Sequence, residues 1–337
     1  MLNLLMLRNT TLFILLLVTN RAMAQDPDCL HPTVALSVID SKANLVRDLT
    51  AADFEARVKG RPVRVVSVTP DNRSHRVVLV MDMTGAMSSF GVGEPARWGW
   101  ELGMARHFFE QNRRDTQIAA VILTKRIHEV APFSEESAAA NASLSEAAKG
   151  YGHMKKNLDP VMTLDEAILE GIQLLDPPAS SDALYVLTNA EEYGGSTRGP
   201  SEDISKLVEK HIRLFAIVLQ EDVGFRQKTH EEIMGPEVIS QIARKSGGGL
   251  LTGAEWHDNR VVLSAFPDEK ATTQEILMRL YQAILQNSLM QIELSAPMEK
   301  GEGFELSLSS SARKKWKRVK LMYPPTLTAC HSDPATN

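Results

Sequence analysis

A chain of 337 residues is long enough for one large domain or two ordinary ones. Its composition, 43% hydrophobic and 23% charged, is typical of a globular protein. The net charge of −5 at pH 7 gives no general support for a nucleic-acid partner, and we expect none.

The first 24 residues have the pattern of a secretory signal peptide. Arg8 precedes an apolar run over residues 12–18, and Ala22-Met23-Ala24 is a small-x-small cleavage signal. We therefore expect a mature chain that begins at Gln25 and is secreted or periplasmic. The alternative is an uncleaved membrane anchor, although the run is shorter than the roughly 20 apolar residues that span a bilayer. We expect no membrane span after cleavage, because no later segment is long enough.

The two cysteines, Cys29 and Cys330, lie one at each end of the mature chain. In an oxidising compartment they could form a disulfide, which would require the two chain ends to be neighbours in space. The alternative is a pair of free thiols on the two tails.

Short alternating segments near the amino terminus predict β-strands at residues 33–40, 54–58 and 63–68. Residues 59–62 between the last two strands predict a hairpin turn. Thr50 and Asp53, just before the second strand, predict a short helical turn with an acidic capping box.

From residue 75 to residue 288, buried strands alternate with amphipathic helices, which predicts an α/β fold. Continuous apolar runs predict strands at 77–81, 118–123, 183–188 and 211–219. Thr163 and Glu166 predict a capping box at the start of a helix, and glycines 247–249 predict a helix C-cap. Residues 126–130 predict an antiparallel edge strand.

The last part of the chain alternates again, at residues 289–295, 304–308 and 316–323. The pattern predicts no helix between these strands, so we expect that they do not join a parallel sheet by simple crossover connections. We expect residues 25–70 and 289–330 to form one small β-sandwich, into which the domain of residues 75–288 is inserted. The basic run over residues 313–318 predicts a hairpin with a solvated face.

The sequence around Asp82 is the most informative stretch. Arg76 to Ser89 reads RVVLVMDMTGAMSS, in which a buried strand carries Asp82 to its carboxyl end, where open α/β sheets bind ligands. The stretch resembles the opening of a von Willebrand factor type A (VWA) domain, in which Asp-x-Ser-x-Ser begins a metal-ion-dependent adhesion site. The segment Asp48-Leu49-Thr50, followed by Asp53-Phe54, resembles the front end of secreted bacterial VWFA-related proteins. The resemblance implies a doubly wound, mostly parallel sheet.

The resemblance also implies five metal-binding positions, of which this chain keeps only some. Asp82 and Thr84 match, whereas Ala86 has lost its oxygen. The fourth position is the Thr of a T-x-L-x-D-A-I stretch; here Met162 occupies it, and Thr163 follows one residue later. The fifth position is the Asp of an L-T-D-G pattern, which Asn189 replaces. Hard cations prefer oxygen ligands. The prediction is a degenerate site for Mg²⁺ or Mn²⁺ whose remaining ligands are Asp82, Thr84, Thr163 and Asn189. The alternative is a metal-free edge at which Asp82 and Thr84 only cap backbone amides.

By resemblance, such domains bind a protein or a surface through the carboxyl edge of the sheet, and we expect no enzymatic activity and a partner of unknown identity. One alternative is a metal-free scaffold of the cell envelope. A less favoured alternative is a hydrolase that uses Asp82 with Glu191, Glu192 or His153. The chain contains no nucleophile elbow, P-loop or dinucleotide fingerprint.

Overall fold

The structure is a computed structural model, and it describes residues 29–40, 44–84, 87, 97–111, 116–124, 126–134, 136–152, 163–191, 200–219, 229–257, 260–264 and 272–329. The predicted signal peptide and Cys330 lie outside these residues, so the cleavage site and the disulfide stay predictions. None of the described helices is both long enough and apolar enough to cross a membrane.

The described chain contains strands and helices that we number in order. The strands are β1 (Thr33–Asp40), β2 (Phe54–Val58), β3 (Arg61–Pro70), β4 (His75–Asp82), β5 (Thr116–Leu123), β6 (Ile127–Ser134), β7 (Ala183–Thr188), β8 (Arg213–Leu219), β9 (Gly249–His257), β10 (Arg260–Ser264), β11 (Ser288–Glu293), β12 (Glu302–Leu308), β13 (Val319–Met322) and β14 (Thr326–Leu327). The helices are α1 (Arg97–Gln111), α2 (Ser137–Gly152), α3 (Leu164–Leu174), α4 (Pro200–Glu209), α5 (His230–Ser246), α6 (Thr273–Leu285) and α7 (Ser310–Lys315), with a 3₁₀ turn at Ala51–Asp53.

The smaller sheet is antiparallel and takes its strands from both ends of the described chain. Its order is β13-β1-β11-β3-β2-β12-β14, and every neighbouring pair in it is antiparallel. Val34 and Leu36 of β1 share one apolar core with Phe304 and Leu306 of β12, although these strands lie far apart in the sheet order. The sheet therefore curls around its own core, as one continuous sheet in place of the two facing sheets of the predicted sandwich.

The larger sheet has the order β10-β9-β8-β7-β4-β5-β6. The pairs β5-β4, β4-β7, β7-β8 and β8-β9 are parallel, whereas the edge strands β6 and β10 are antiparallel. Alternate residues of β4 enter two apolar clusters. Leu79 packs in the cluster that includes residues of α1, α2 and α6, and Val80 packs in the one that includes residues of α3, α4 and α5. The fold is mixed α/β, and the carboxyl ends of its parallel strands share one edge.

Two elements differ from the expectations from sequence. The sequence pattern at residues 250–252 predicts only a short final strand, whereas the structure has a hairpin of β9 and β10 there. The basic run predicted in a β-hairpin begins in α7, because Ser309 caps a short helix by accepting a hydrogen bond from the backbone N–H of Ala312 at 3.4 Å. The run therefore contributes Arg313 and its lysine neighbours to the last turn of a helix, where cations are favoured.

A polar network lies where the chain passes between the two sheets. The buried Asp71 follows β3, and its backbone N–H donates to the carbonyl of Asn287, just before β11, at 2.9 Å. The Asp71 carboxylate accepts two 2.8 Å hydrogen bonds from Arg73 and one from the hydroxyl of Ser181. Burial favours the neutral acid, but the hydrogen bonds from Arg73 and Ser181 outweigh it and lower the pKa of Asp71 below its ordinary value.

We expect Asp71→Asn to destabilise the protein by about 2 kcal/mol at pH 7 and by progressively less below about pH 4. A carboxyl group whose pKa is lower in the folded state contributes stability above its unfolded pKa, and that stability is lost as the pH falls. Urea unfolding of both proteins between pH 7 and pH 2.5 measures the difference. Glu305→Gln, at an exposed position on β12, is the control. A difference between wild type and Asp71→Asn that is constant over this range would contradict the assignment.

Candidate functional site

Asp82 occupies the carboxyl end of β4, and its side chain has no exposed surface. One carboxylate oxygen, Oδ1, accepts hydrogen bonds from the backbone N–H of Thr84 at 3.1 Å and from its hydroxyl at 2.7 Å. The other oxygen, Oδ2, accepts one from the hydroxyl of Thr188 at 2.7 Å. These three hydrogen bonds come from neutral donors and solvate the buried carboxylate.

The end of β7 completes this polar group, because β7 pairs with β4 in the sheet. Thr188 holds its turn by accepting the backbone N–H of Ala190 at 2.8 Å, and Asn189 Oδ1 accepts the N–H of Glu191 at 3.1 Å. Asn189 is buried and its Nδ2 has no hydrogen-bond partner. The sequence analysis did not identify Thr188, whose hydroxyl donates to Asp82. Thr188 is the last residue of an apolar run, and that run predicts only a buried strand.

Thr163 is the N-cap residue of α3, as the sequence predicts. Its backbone N–H donates to the carboxylate of Glu166 at 2.8 Å, and its hydroxyl donates to the carboxylate of Asp165. Within the described chain, none of the Thr163 hydrogen bonds reaches Asp82 or Thr84. The structure thus brings Asp82, Thr84 and Asn189 to one edge and assigns the polar groups of Thr163 to helix capping. Its role as a ligand stays a prediction.

Glu101 of α1 is a second carboxyl group at this edge that the sequence analysis missed. It is 0% exposed, and neither of its side-chain oxygens has a hydrogen-bond partner. Burial, and secondarily the negative charge of Asp82, raise the pKa of Glu101 well above its ordinary value. The available signal was helical spacing: Glu101 is four residues before Ala105 and seven before Phe108, so it falls on the apolar face of α1.

The chemistry of these side chains suits a hard divalent cation. Asp82 and Glu101 offer carboxylates, Thr84 a hydroxyl and Asn189 an amide oxygen, and Mg²⁺ is bound through one or two carboxylates while it keeps several waters. The part of the chain that the structure describes contains no group of three or more His, Cys, Asp or Glu residues placed to hold a metal ion. A cation at this edge therefore stays a prediction. Ala86 and Met162 lie outside the described residues.

We expect Thr188→Val to reduce the free energy of unfolding by about 1–3 kcal/mol, because Asp82 then loses a buried hydrogen-bond donor and Ala190 loses an acceptor. Thr188→Ser keeps the hydroxyl and should cost about 1 kcal/mol for the lost methyl group. Urea unfolding measures both. Thr69→Val, at an exposed position on β3, is the control and should change stability by no more than about 0.5 kcal/mol. Equal losses for the valine and serine variants would mean that the hydroxyl contributes nothing.

No protein-family model and no curated protein matches the sequence. Several solved structures have a similar fold. One is the conserved hypothetical protein BatB from Bacteroides thetaiotaomicron, at 14% identity and a TM-score of 0.44, covering 62% of this chain and 96% of that one. Another is an aerotolerance-related membrane protein from Bacteroides fragilis, at 11% identity and a TM-score of 0.40, covering 55% and 92%.

A third similar structure is described as von Willebrand factor type A from Catenulispora acidiphila, at 8% identity and a TM-score of 0.44, covering 90% of this chain and 75% of that one. Identities and scores at this level carry no function from one protein to the other. The antiparallel edge strand β6 and the acidic residue that ends β4 agree with the expectations from the sequence. At the level of the fold, the chain contains a VWA-related domain.

Proposed function

We propose that this protein is a non-enzymatic binding module that acts outside the cytoplasm and contacts a protein or surface partner through the carboxyl edge of its larger sheet. One observation carries this proposal: exposed apolar side chains lie in the first turns of a helix that packs against the turn after β7. Among the described residues, the large apolar side chains that are exposed are Leu30 (39%), Ile233 (57%) and Met234 (39%). Two of the three lie in the first turns of α5.

The position of α5 supports the proposal. The helix follows β8, whose carboxyl end lies at the same edge as Asp82. Gly235 packs so tightly against the turn after β7 that a Cβ atom there would lie 1.9 Å from the carbonyl oxygen of Ala190. This contact holds Ile233 and Met234 next to Asn189. Apolar side chains displayed on a fixed backbone are the kind of anchor that protein interfaces use.

The wider arrangement is part of the same proposal. We infer that residues 25–70 and 289–330 form a support into which residues 75–288 are inserted as a doubly wound domain, so that the binding edge projects from it. The amino-terminal signal pattern supports a secreted or periplasmic location, as does the disulfide that Cys29 and Cys330 would form there.

A metal-free scaffold is the second candidate, and one specific observation favours it. Thr84 and Thr188 already provide three hydrogen bonds to the Asp82 carboxylate. In this interpretation the polar group only stabilises the edge of the sheet, and the partner binds without a cation.

The hydrolase alternative has less support. Catalytic acids must reach substrate, and neither Asp82 nor Glu101 has exposed surface. Of the other residues named for the hydrolase, Glu191 donates its backbone N–H to the side chain of Asn189. Glu192 and His153 lie outside the described residues.

We expect the double variant Ile233→Asp, Met234→Asp to bind its partner at least about tenfold more weakly, because it removes the two exposed apolar anchors. Binding of the labelled mature protein, Gln25 to Asn337, to intact cells and envelope fractions of the organism that produces it measures this. Leu30→Asp is the matched control, since Leu30 is as exposed as Met234. Binding by the double variant that equals that of wild type would contradict the proposed edge.

A further inference from the structure

Arg213, the first residue of β8, has one of the largest fully buried side chains in the described part of the chain. Its Nη1 donates to the hydroxyl of Ser37 on β1 at 3.0 Å, and its Nη2 donates to the backbone carbonyl of Ala283 at 3.5 Å, a long hydrogen bond. The remaining nitrogen, Nε, is buried and has no hydrogen-bond partner. A buried polar group without a partner calls for a specific explanation.

The positive charge of Arg213 is only partly compensated. Burial lowers the pKa of Arg213 to about 10, which leaves the guanidinium protonated at neutral pH. The carbonyl of Ala283 lies in the last turn of α6, where cations are favoured. The charge of Asp71 also favours the protonated form, but Asp71 is already ion-paired with Arg73. No carboxylate of the described residues forms an ion pair with Arg213 itself, so a further anion would stabilise it.

A small cavity lies beside Arg213, between the two sheets. Ser180, His211 and Arg213 line it on the side of the larger sheet, and Ala35 and Thr328 line it on the side of the smaller sheet. Its volume is about 30 Å³. A buried water needs about 10–15 Å³ by this measure, so the cavity has room for a group the size of about two waters.

Alternation along β1 turns the side chain of Ala35 toward this cavity. Val34 and Leu36 pack in the core of the smaller sheet, so Ala35 and Ser37 point the opposite way, toward the larger sheet. Ser37 is the residue whose hydroxyl accepts from Arg213. The guanidinium group and the cavity are therefore on the same side of β1.

The geometry of arginine and the size of the cavity favour a carboxylate over other anions. Nε–H and one N–H of Nη2 point in the same direction and form a flat fork that matches the two oxygens of a carboxylate. The planar carboxylate is smaller than the tetrahedral phosphate and sulfate ions, and the limited space suits the smaller group. A carboxylate also supplies the negative charge that a water molecule in the same place would not.

We propose that this cavity binds the carboxylate group of a small organic acid, held between the two sheets by Nε and Nη2 of Arg213. Thr328 Oγ1 and His211 Nε2, which are 3.1 Å apart, belong to the wall that encloses the ligand. The bound anion compensates a buried cation and joins the smaller sheet to the larger one. The cavity lies at the amino ends of the parallel strands, opposite the edge of the proposed function, so it is tested without a partner.

The experiment is an NMR titration of the isotope-labelled mature chain, Gln25 to Asn337, with sodium acetate at constant ionic strength. The observable is the Nε–H resonance of Arg213, which is identified by its loss in Arg213→Lys. We expect this resonance to shift and to saturate at roughly millimolar acetate, the affinity that so small a ligand reaches. Sodium chloride and sodium phosphate are the comparison salts, and we expect both to bind more weakly than acetate.

Ala35→Val tests the cavity without changing Arg213, and it keeps the proposal testable by calorimetry with acetate if Arg213→Lys does not fold. The added methyl groups reduce the space beside the guanidinium, so we expect acetate to bind at least about tenfold more weakly. The matched control is Ala52→Val, at an exposed position on the 3₁₀ turn, which should bind acetate as wild type does.

Three results would overturn the proposal. The first is wild-type protein that shows no saturable acetate binding. The second is Ala35→Val protein that folds and binds acetate as tightly as wild type, which would place the ligand outside the cavity. The third is chloride or phosphate that binds as tightly as acetate, which would contradict the fork geometry.

Discussion

The structure depends on a carboxylate buried at the end of a parallel sheet. Asp82 has no exposed surface, and the described hydrogen bonds to it come from the neutral donors of Thr84 and Thr188. A buried carboxylate needs hydrogen-bond donors that hold it in place, and Thr84 and Thr188 supply them from the loop after β4 and the end of β7. Glu101 of α1 is a further buried carboxyl group, and burial, with the charge of Asp82 as a smaller cause, raises its pKa.

The rest of the fold positions and supports this edge. Parallel strands bring the ends of β4, β7 and β8 together, and the close contact of Gly235 with Ala190 holds α5 against them. The exposed side chains of Ile233 and Met234 precede Gly235 in the first turns of this helix. At the opposite end of the sheet, a hydrogen bond joins Asp71 and Asn287, which lie in the two segments where the chain passes between the sheets. The proposed binding edge and the connection to the smaller sheet therefore lie at opposite ends of the larger sheet.

The sequence predicted the features that follow from local pattern. A continuous apolar run identifies β4 and places Asp82 at its end, and the Thr163–Glu166 capping box forms as expected. The alternating carboxyl-terminal segments need partners elsewhere, and β11 and β13 pair with β1. The misses have a physical reason. Thr188 reads as part of an apolar strand. Helical spacing puts Glu101 on the apolar face of α1, but the complete burial of its side chain depends on how α1 packs on the sheet.

Site-directed photo-crosslinking of the mature chain bound to envelope fractions, with the crosslinking group at position 233, 234 or 30, tests the central claim most directly. The account predicts adducts with a partner from positions 233 and 234, in the first turns of α5, and none from position 30. Adducts from position 30 alone, or from none of the three positions, would contradict the claim that the partner binds at the carboxyl edge of the larger sheet.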